Sequence, residues 1–216
     1  MAAHRFDSRK GPFRSLLPLV LASASPRRQA FLDELGLEFR VWPAMVEEAP
    51  APAEDPVAYV LRLAAAKAEA VSRSCPETWV LGADTAVVVD GDILGKPADA
   101  REAEGMVKSL AGKRHTVVTG YALCHAQGEA VIQGSAETEV DFTDVPDEVC
   151  QAYALTGEPL DKAGGYAIQG CGGFLVESIR GSASNVVGLP LAELVRDLLR
   201  LGIIEPRLPD PILLGD

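Results

Sequence analysis

Apolar and polar positions along this chain fall into blocks, and each change of period marks an element. Residues 16–22, LLPLVLA, form a continuous apolar run of the length expected for a buried strand. The turn Ser23-Ala24-Ser25-Pro26-Arg27-Arg28 follows, in which Ser25 suits a helix N-cap and Pro26 a first helical position. Phe31, Leu32 and Leu35 supply the apolar face of that helix, and Gly36 ends it. A second strand is predicted near 38–43. Asp55-Pro56 then opens a long helix to about Ser74, with Val57, Val60, Leu61, Ala64, Ala68 and Val71 at helical spacing and Lys67 on the flank of their stripe.

Residues 78–89, TWVLGADTAVVV, read as a strand, and Asp90-Gly91 as a hairpin turn into a short strand that ends at Gly95-Lys96-Pro97. Asp99 is predicted to cap a third helix to about Leu110. Strands near 115–125 and 130–142, a short helix over 147–156, a glycine-rich segment over 157–174, one more strand, a loop over 181–190 and a helix over 190–201 complete the pattern. Strands and helices alternate, with one hairpin interrupting them, which predicts an α/β fold with a mixed sheet. Residues 1–15 read as a flexible leader, 16–203 as one domain and 204–216 as an extended or disordered tail.

Bulk properties narrow the function. A chain of 216 residues, 48% hydrophobic and 24% charged, suits an ordinary globular protein. Its net charge of -11 disfavours nucleic-acid polymers and anionic membranes as partners, yet a local cluster of cations can still hold a small phosphorylated ligand. No apolar run approaches the roughly 20 residues that span a bilayer. Cys75, Cys124, Cys150 and Cys171 contain no CxxC pair and fit buried thiols in a reducing compartment, so the expected location is cytoplasmic.

Several residues carry candidate chemistry. Arg27 and Arg28 fall in the first turn of a helix, where cations are disfavoured unless an anion binds there; beside Ser23 and Ser25 they suggest a phosphate site, the alternative being a solvated, capped turn. Asp84 stands inside an apolar strand. A carboxylate buried there needs a cation, a metal or backbone donors at a bulge near Gly82, and burial favours general-base chemistry. Lys96 and Lys162 lie in rigid turns able to aim an ammonium at a phosphate. Glu47 and Glu48 matter only if the fold brings one to Asp84 to share a hard cation. The glycines at 157, 164, 165, 170, 172 and 173 allow close backbone approach, but neither GxxxxGK[ST] nor GxGxxG is present. His4, His115 and His125 show no metal spacing and read as structural or exposed.

Three segments taken together, LASASPRRQAFLDELGL, VLGADTAVVVDGDILGKP and GEPLDKAGGYAIQGCGGFLVESIRGSASNVVGLPL, closely resemble the Maf family of nucleotide pyrophosphatases over about Leu19 to Leu199. The resemblance implies an elongated mixed-sheet fold like that of inosine-triphosphate pyrophosphatases, with two lobes flanking a cleft, and a homodimer. It implies cleavage of a nucleoside triphosphate to the monophosphate plus pyrophosphate, assisted by magnesium, manganese or cobalt. On this resemblance Asp84 is the base, Ser23, Arg27, Arg28, Lys67 and Lys96 hold phosphates, with Lys67 and Lys96 serving catalysis, and Glu47 joins Asp84 as a metal ligand, with Glu48 its neighbour. Arg27, Thr85 and Gln169 match the branch acting on dTTP and UTP, whereas the SPWR, SDQ and SEG pattern of the 7-methyl-GTP branch is missing. A Gln side chain both donates and accepts, as the edge of a uracil or thymine ring requires. The alternatives are a nucleotide-binding regulator of septum formation and a pyrophosphatase for modified purine triphosphates.

Overall fold

The strand-like stretch 78–89 becomes the centre of the sheet. A computed structural model describes residues 11–125 and 130–208. In chain order its strands are β1 (Phe13–Ser15), β2 (Leu19–Leu21), β3 (Phe39–Val41), β4 (Trp79–Val89), β5 (Asp92–Leu94), β6 (Arg114–Cys124), β7 (Ala130–Phe142), β8 (Val176–Arg180) and β9 (Ile204–Pro206). The helices are α1 (Pro26–Glu34), α2 (Pro56–Ser72), α3 (Ala100–Leu110), α4 (Asp147–Ala154), α5 (Ala183–Val187) and α6 (Leu191–Arg200). Seven strands form one mixed sheet in the order β3-β2-β4-β6-β7-β8, with β5 also paired to β4. β2 runs parallel to both β3 and β4, while β4, β6, β7 and β8 pair antiparallel. This is the mixed α/β sheet that the alternating pattern predicts.

Side chains of β4 alternate between two packed faces. On one face Leu81 and Ala83 meet Leu32 of α1 and Leu194 and Leu198 of α6. Farther along the same face Val87 and Val89 meet Val107 and Leu110 of α3 and Tyr153 of α4. The opposite face belongs to α2, whose Val60, Ala64 and Ala68 cover Val80, Ala86 and Ala122.

Helix α2 lies on the sheet with almost nothing between the two backbones. A Cβ on Gly82 would collide with the Ala64 carbonyl oxygen and approach the Ala68 nitrogen to 2.7 Å, and one on Gly120 would come within 2.8 Å of the Val60 carbonyl carbon. Glycine at these two places sets the helix height. In consequence Lys67, expected on the flank of the stripe, stands on the buried face at 6% exposure, directly over β4. Asp55 starts α2 by accepting a hydrogen bond from Ala58 N–H, with Pro56 at the first helical position.

The turn Asp90-Gly91 holds both residues at positive φ, the geometry of a tight two-residue hairpin between β4 and β5. Two boundaries differ from the sequence reading. β1 and β9 pair antiparallel, so Phe13–Ser15 of the expected leader and Ile204–Pro206 of the expected tail are structured. The pairing joins positions nearly the whole chain apart, and strands this short carry no periodic signal. Residues 1–10 and 209–216 lie outside the described residues, His4 among them. Among the described residues no helix is long and apolar enough to cross a membrane.

Candidate active site

One edge of β4 is paired with β2 at residues 79–81 and with β5 at 87–89, while β6 runs continuously along the other edge. Between those two partners, residues 82–86 leave a gap in the first edge. The chain also changes direction here, since β3 and β4 lie on opposite sides of β2. In open α/β sheets ligands bind at such a switch point, beyond the carboxyl ends of the strands. A cleft of about 460 Å³ occupies that place. Ala22 and Ser23 at the end of β2, the first turn of α1, Asp84 and Thr85 all line it.

Helix α1 opens toward the cleft without a side-chain cap. Ser25 occupies the N-cap position but makes no capping hydrogen bond, and Pro26 follows it. The free N–H groups of the first turn are therefore available to an anion. Arg27 lines the cleft, and its Nε is buried with no hydrogen-bond partner.

A chain of opposite charges crosses the floor. Lys67 Nζ donates to Asp84 Oδ1 at 2.5 Å and lies 2.6 Å from Glu48 Oε1, and Lys96 Nζ donates to Glu48 Oε2 at 3.1 Å. Lys67 and Asp84 are buried, while Lys96 is exposed at the mouth. Burial pushes the Glu48 carboxyl up, but the hydrogen bonds and charges of Lys67 and Lys96 outweigh it and hold the group below its usual range. Tyr59 Oη donates to the Glu48 carbonyl at 2.7 Å, which fixes this loop residue in place. Its phenol is raised to about 12 by burial and then by the charges of Asp84 and Glu48.

Arg28 is used differently from Arg27. Its Nε donates to Gly188 O at 2.8 Å, Nη1 to Ala83 O at 2.8 Å and Ser23 Oγ at 3.1 Å, and Nη2 to Thr85 Oγ1 at 3.0 Å. It thus satisfies a carbonyl on the open edge of β4 and ties three segments together. Burial lowers its pKa, against the opposing pull of Asp84. The tie continues through Thr85 and Thr119, whose hydroxyls lie 3.0 Å apart, to Asn185 O, which accepts from Thr119 at 2.9 Å.

The far wall is irregular backbone. Three short 3-10 turns cover Glu158–Asp161, Ala163–Gly165 and Cys171–Leu175, and between the last two Tyr166, Ala167, Ile168 and Gln169 line the cleft. Asp161 and Lys162 also line it, paired with one another at 2.5 Å.

A family model described as Maf-like protein matches residues 18–201. The chain belongs to the Maf family. The dTTP/UTP pyrophosphatase of Desulfotalea psychrophila is 50% identical over 189 residues, covering 87% of this chain and 96% of that protein. Proteins of the same name from Nitratidesulfovibrio vulgaris and Myxococcus xanthus are 48% and 49% identical, covering 92% and 87% of this chain and 95% and 94% of their own lengths. A solved structure of a HAM1 protein from Coxiella burnetii aligns with a TM-score of 0.46 and 17% identity, covering 61% of this chain and 75% of that one.

Within this Maf chain the cleft gathers Ser23, Arg27, Arg28, Lys67, Asp84, Thr85, Lys96 and Gln169. Glu47 is not among its lining residues; the carboxylate at Lys67 and Lys96 belongs to Glu48, one position on. Loop backbone has no period that tells which of two adjacent acids faces inward, and here Tyr59 and the two lysines select the second. Arg28, Ser23 and Thr85, expected at the substrate, spend most of their hydrogen bonds on each other and on backbone. Thr119, Asn185 and Asp161 were not singled out from the sequence, and their only signal was a polar residue in an apolar strand or a turn. Asp84 pairs in regular register with Gly120, so no bulge supplies it with donors.

Among the described residues no three His, Cys, Asp or Glu side chains group to hold a metal unaided. Asp84 and Glu48 nevertheless fit a hard divalent cation of the kind that takes one or two carboxylates and completes its shell with phosphate oxygens and water. Both meet at Lys67 on the cleft floor, and both are oxygen donors. His115 is buried with Nε2 2.7 Å from Tyr166 Oη, and His125 packs tilted against Trp79; neither is among the residues that line the cleft.

Proposed function

We propose that this chain hydrolyses dTTP and UTP to the monophosphate and pyrophosphate, in the cytoplasm. The observation that supports this reading most directly is the cleft itself. One cavity holds a buried carboxylate, two lysines bridged by a second carboxylate, and an uncapped helix end beside an unpartnered guanidinium nitrogen. The names of the relatives at about half identity agree with it.

In the proposed reaction Asp84 orients a water and takes its proton as the water oxygen bonds to phosphorus. The bond to the departing pyrophosphate oxygen then breaks. Arg27, Lys67, Lys96 and the first turn of α1 stabilise the charge that accumulates on the phosphates. A divalent cation such as magnesium, manganese or cobalt, held by Asp84 and Glu48, would neutralise phosphate oxygens. Gln169 lines the same cleft, and its amide offers a donor and an acceptor to a pyrimidine edge. Homodimer formation is carried over from the family resemblance, and the buried thiols of Cys75, Cys124 and Cys150 suit a reducing compartment.

The test is pyrophosphate release from a panel of triphosphates by the purified chain with each metal. Turnover highest on dTTP and UTP is expected. Release from no triphosphate would replace the enzyme with a nucleotide-binding protein, and a preference for modified purines would replace the substrate.

A further inference from the structure

Beside the irregular wall of the cleft lies a hydrogen-bonded pair, a buried tyrosine and a half-buried glutamate, neither of which lines the cavity. Tyr153, on α4, is 3% exposed, and its hydroxyl donates to Glu158 Oε1 at 3.0 Å. The same hydroxyl accepts from Ala167 N–H at 3.1 Å. Glu158 in turn accepts from Cys171 N–H through Oε2 and from Gly172 N–H through Oε1, both at 2.9 Å. Ile168, Gln169 and Gly170 are therefore suspended between two anchor points, one on each side, and a single hydrogen bond joins the anchors.

Gly170 has φ of 101°, and a Cβ there would run into the Glu158 carboxylate. The segment fits around that carboxylate and takes this path only without a side chain. The carboxylate stays charged to do this. Burial pushes it up, but the N–H groups of Gly172 and Cys171 outweigh burial and hold it at about 2. Glu158 also fixes a second part of the wall, since its carbonyl accepts from Lys162 Nζ at 2.6 Å.

From this arrangement we infer that Tyr153 and Glu158 are positioning residues for nucleobase selection, setting where Ile168 and Gln169 meet the base. The inference rests on the proposed pyrimidine-triphosphate reading. Asp84 and Lys67 hang from β4 and α2, which these anchors do not hold. Loosening the anchors should therefore alter which base is preferred more than how fast the bound phosphate is cleaved.

The experiment measures pyrophosphate release from UTP, dTTP and GTP for wild type, Tyr153→Phe, Glu158→Gln, Glu158→Ala, Gln169→Ala and the Glu158→Ala/Gln169→Ala double variant. Tyr153→Phe and Glu158→Ala are expected to lower the UTP-to-GTP ratio of kcat/KM by about tenfold. The change should enter through KM for UTP, with kcat moving less than about threefold. In the Gln169→Ala background, Glu158→Ala should cause no further loss of that ratio. Rates that fall equally on all three substrates, or losses that multiply with Gln169→Ala, would overturn the inference. If Glu158→Ala does not fold, Tyr153→Phe and Glu158→Gln apply the same ranking test. Wild type that releases no pyrophosphate from UTP or dTTP would instead remove the functional reading, and the positioning role with it.

Discussion

The two ends of the cleft are built by opposite means. At the proposed phosphate end, Asp84 and Lys67 project from a long strand and a long helix whose backbones touch at Gly82 and Gly120. At the proposed base end, Tyr166 to Gln169 form loop backbone between 3-10 turns, placed by one tyrosine hydroxyl and one carboxylate. The triphosphate group is the same in every nucleoside triphosphate and can be met by charge fixed on regular elements, with Lys67 and Asp84 buried. The base differs between nucleotides, and a reader made of loop can change without disturbing the sheet. On the proposed assignment, chemistry would sit on long regular elements and choice on loop backbone, which is the more easily altered of the two.

The largest effect is expected at the phosphate end. Asp84→Asn should reduce pyrophosphate release from dTTP by about 100- to 10,000-fold, because the base and a metal ligand vanish together. Turnover at the wild-type rate would remove Asp84 from the mechanism.

A smaller loss should follow from prying apart the strand and helix. Gly82→Ala forces a methyl group into the α2 backbone and is expected to cost about 1–3 kcal/mol in chemical denaturation. Because it shifts Lys67 relative to Asp84, activity should fall alike on UTP, dTTP and GTP. A changed substrate ranking would show that the two ends are not independent.

Acid titration probes the base end with the smallest effect. Glu158 is held at about 2 against an ordinary value of 4.5. A depressed carboxylate stabilises the fold fully above its unfolded value, and this contribution is lost as pH falls from 4.5 toward 2. Wild type should therefore lose more unfolding free energy than Glu158→Gln over that acid range. Equal slopes would mean that the carboxylate is not held in its charged form. His115 acts in the same direction at higher pH. Burial lowers it from 6.5 to about 4, so the unfolded chain binds the proton first and stability declines as pH drops below 6.5.

How much of this was legible in the sequence depends on how far each feature relies on local pattern. The helix caps at Asp55 and Asp99, the Asp90-Gly91 turn and the strand holding Asp84 all follow from local residues and appear where expected. The sequence puts Lys67 on the flank because a lysine interrupts an apolar stripe; only the close contact of α2 with Gly82 and Gly120 buries it. Glu48 could not be separated from Glu47, since a loop gives no phase. Arg28 carried the same sequence signal as Arg27, yet Gly188, 160 residues away in sequence, captures its guanidinium. Helix α5, five residues long, was read as loop because so short a helix displays no apolar period. The anchors on the proposed base reader leave no local pattern because they depend on four separate hydrogen bonds across irregular backbone.

The pairing of β1 with β9 sets Phe13 opposite Pro206. Two segments far apart in the sequence thus run side by side, and neither strand contributes to the cleft lining. Circular permutation is open to such a pairing: a short linker can join residue 206 directly to residue 13, and the chain can be opened at an exposed turn such as Gly112. A permuted chain that still turns over nucleotide would place two fusion partners at a chosen surface turn.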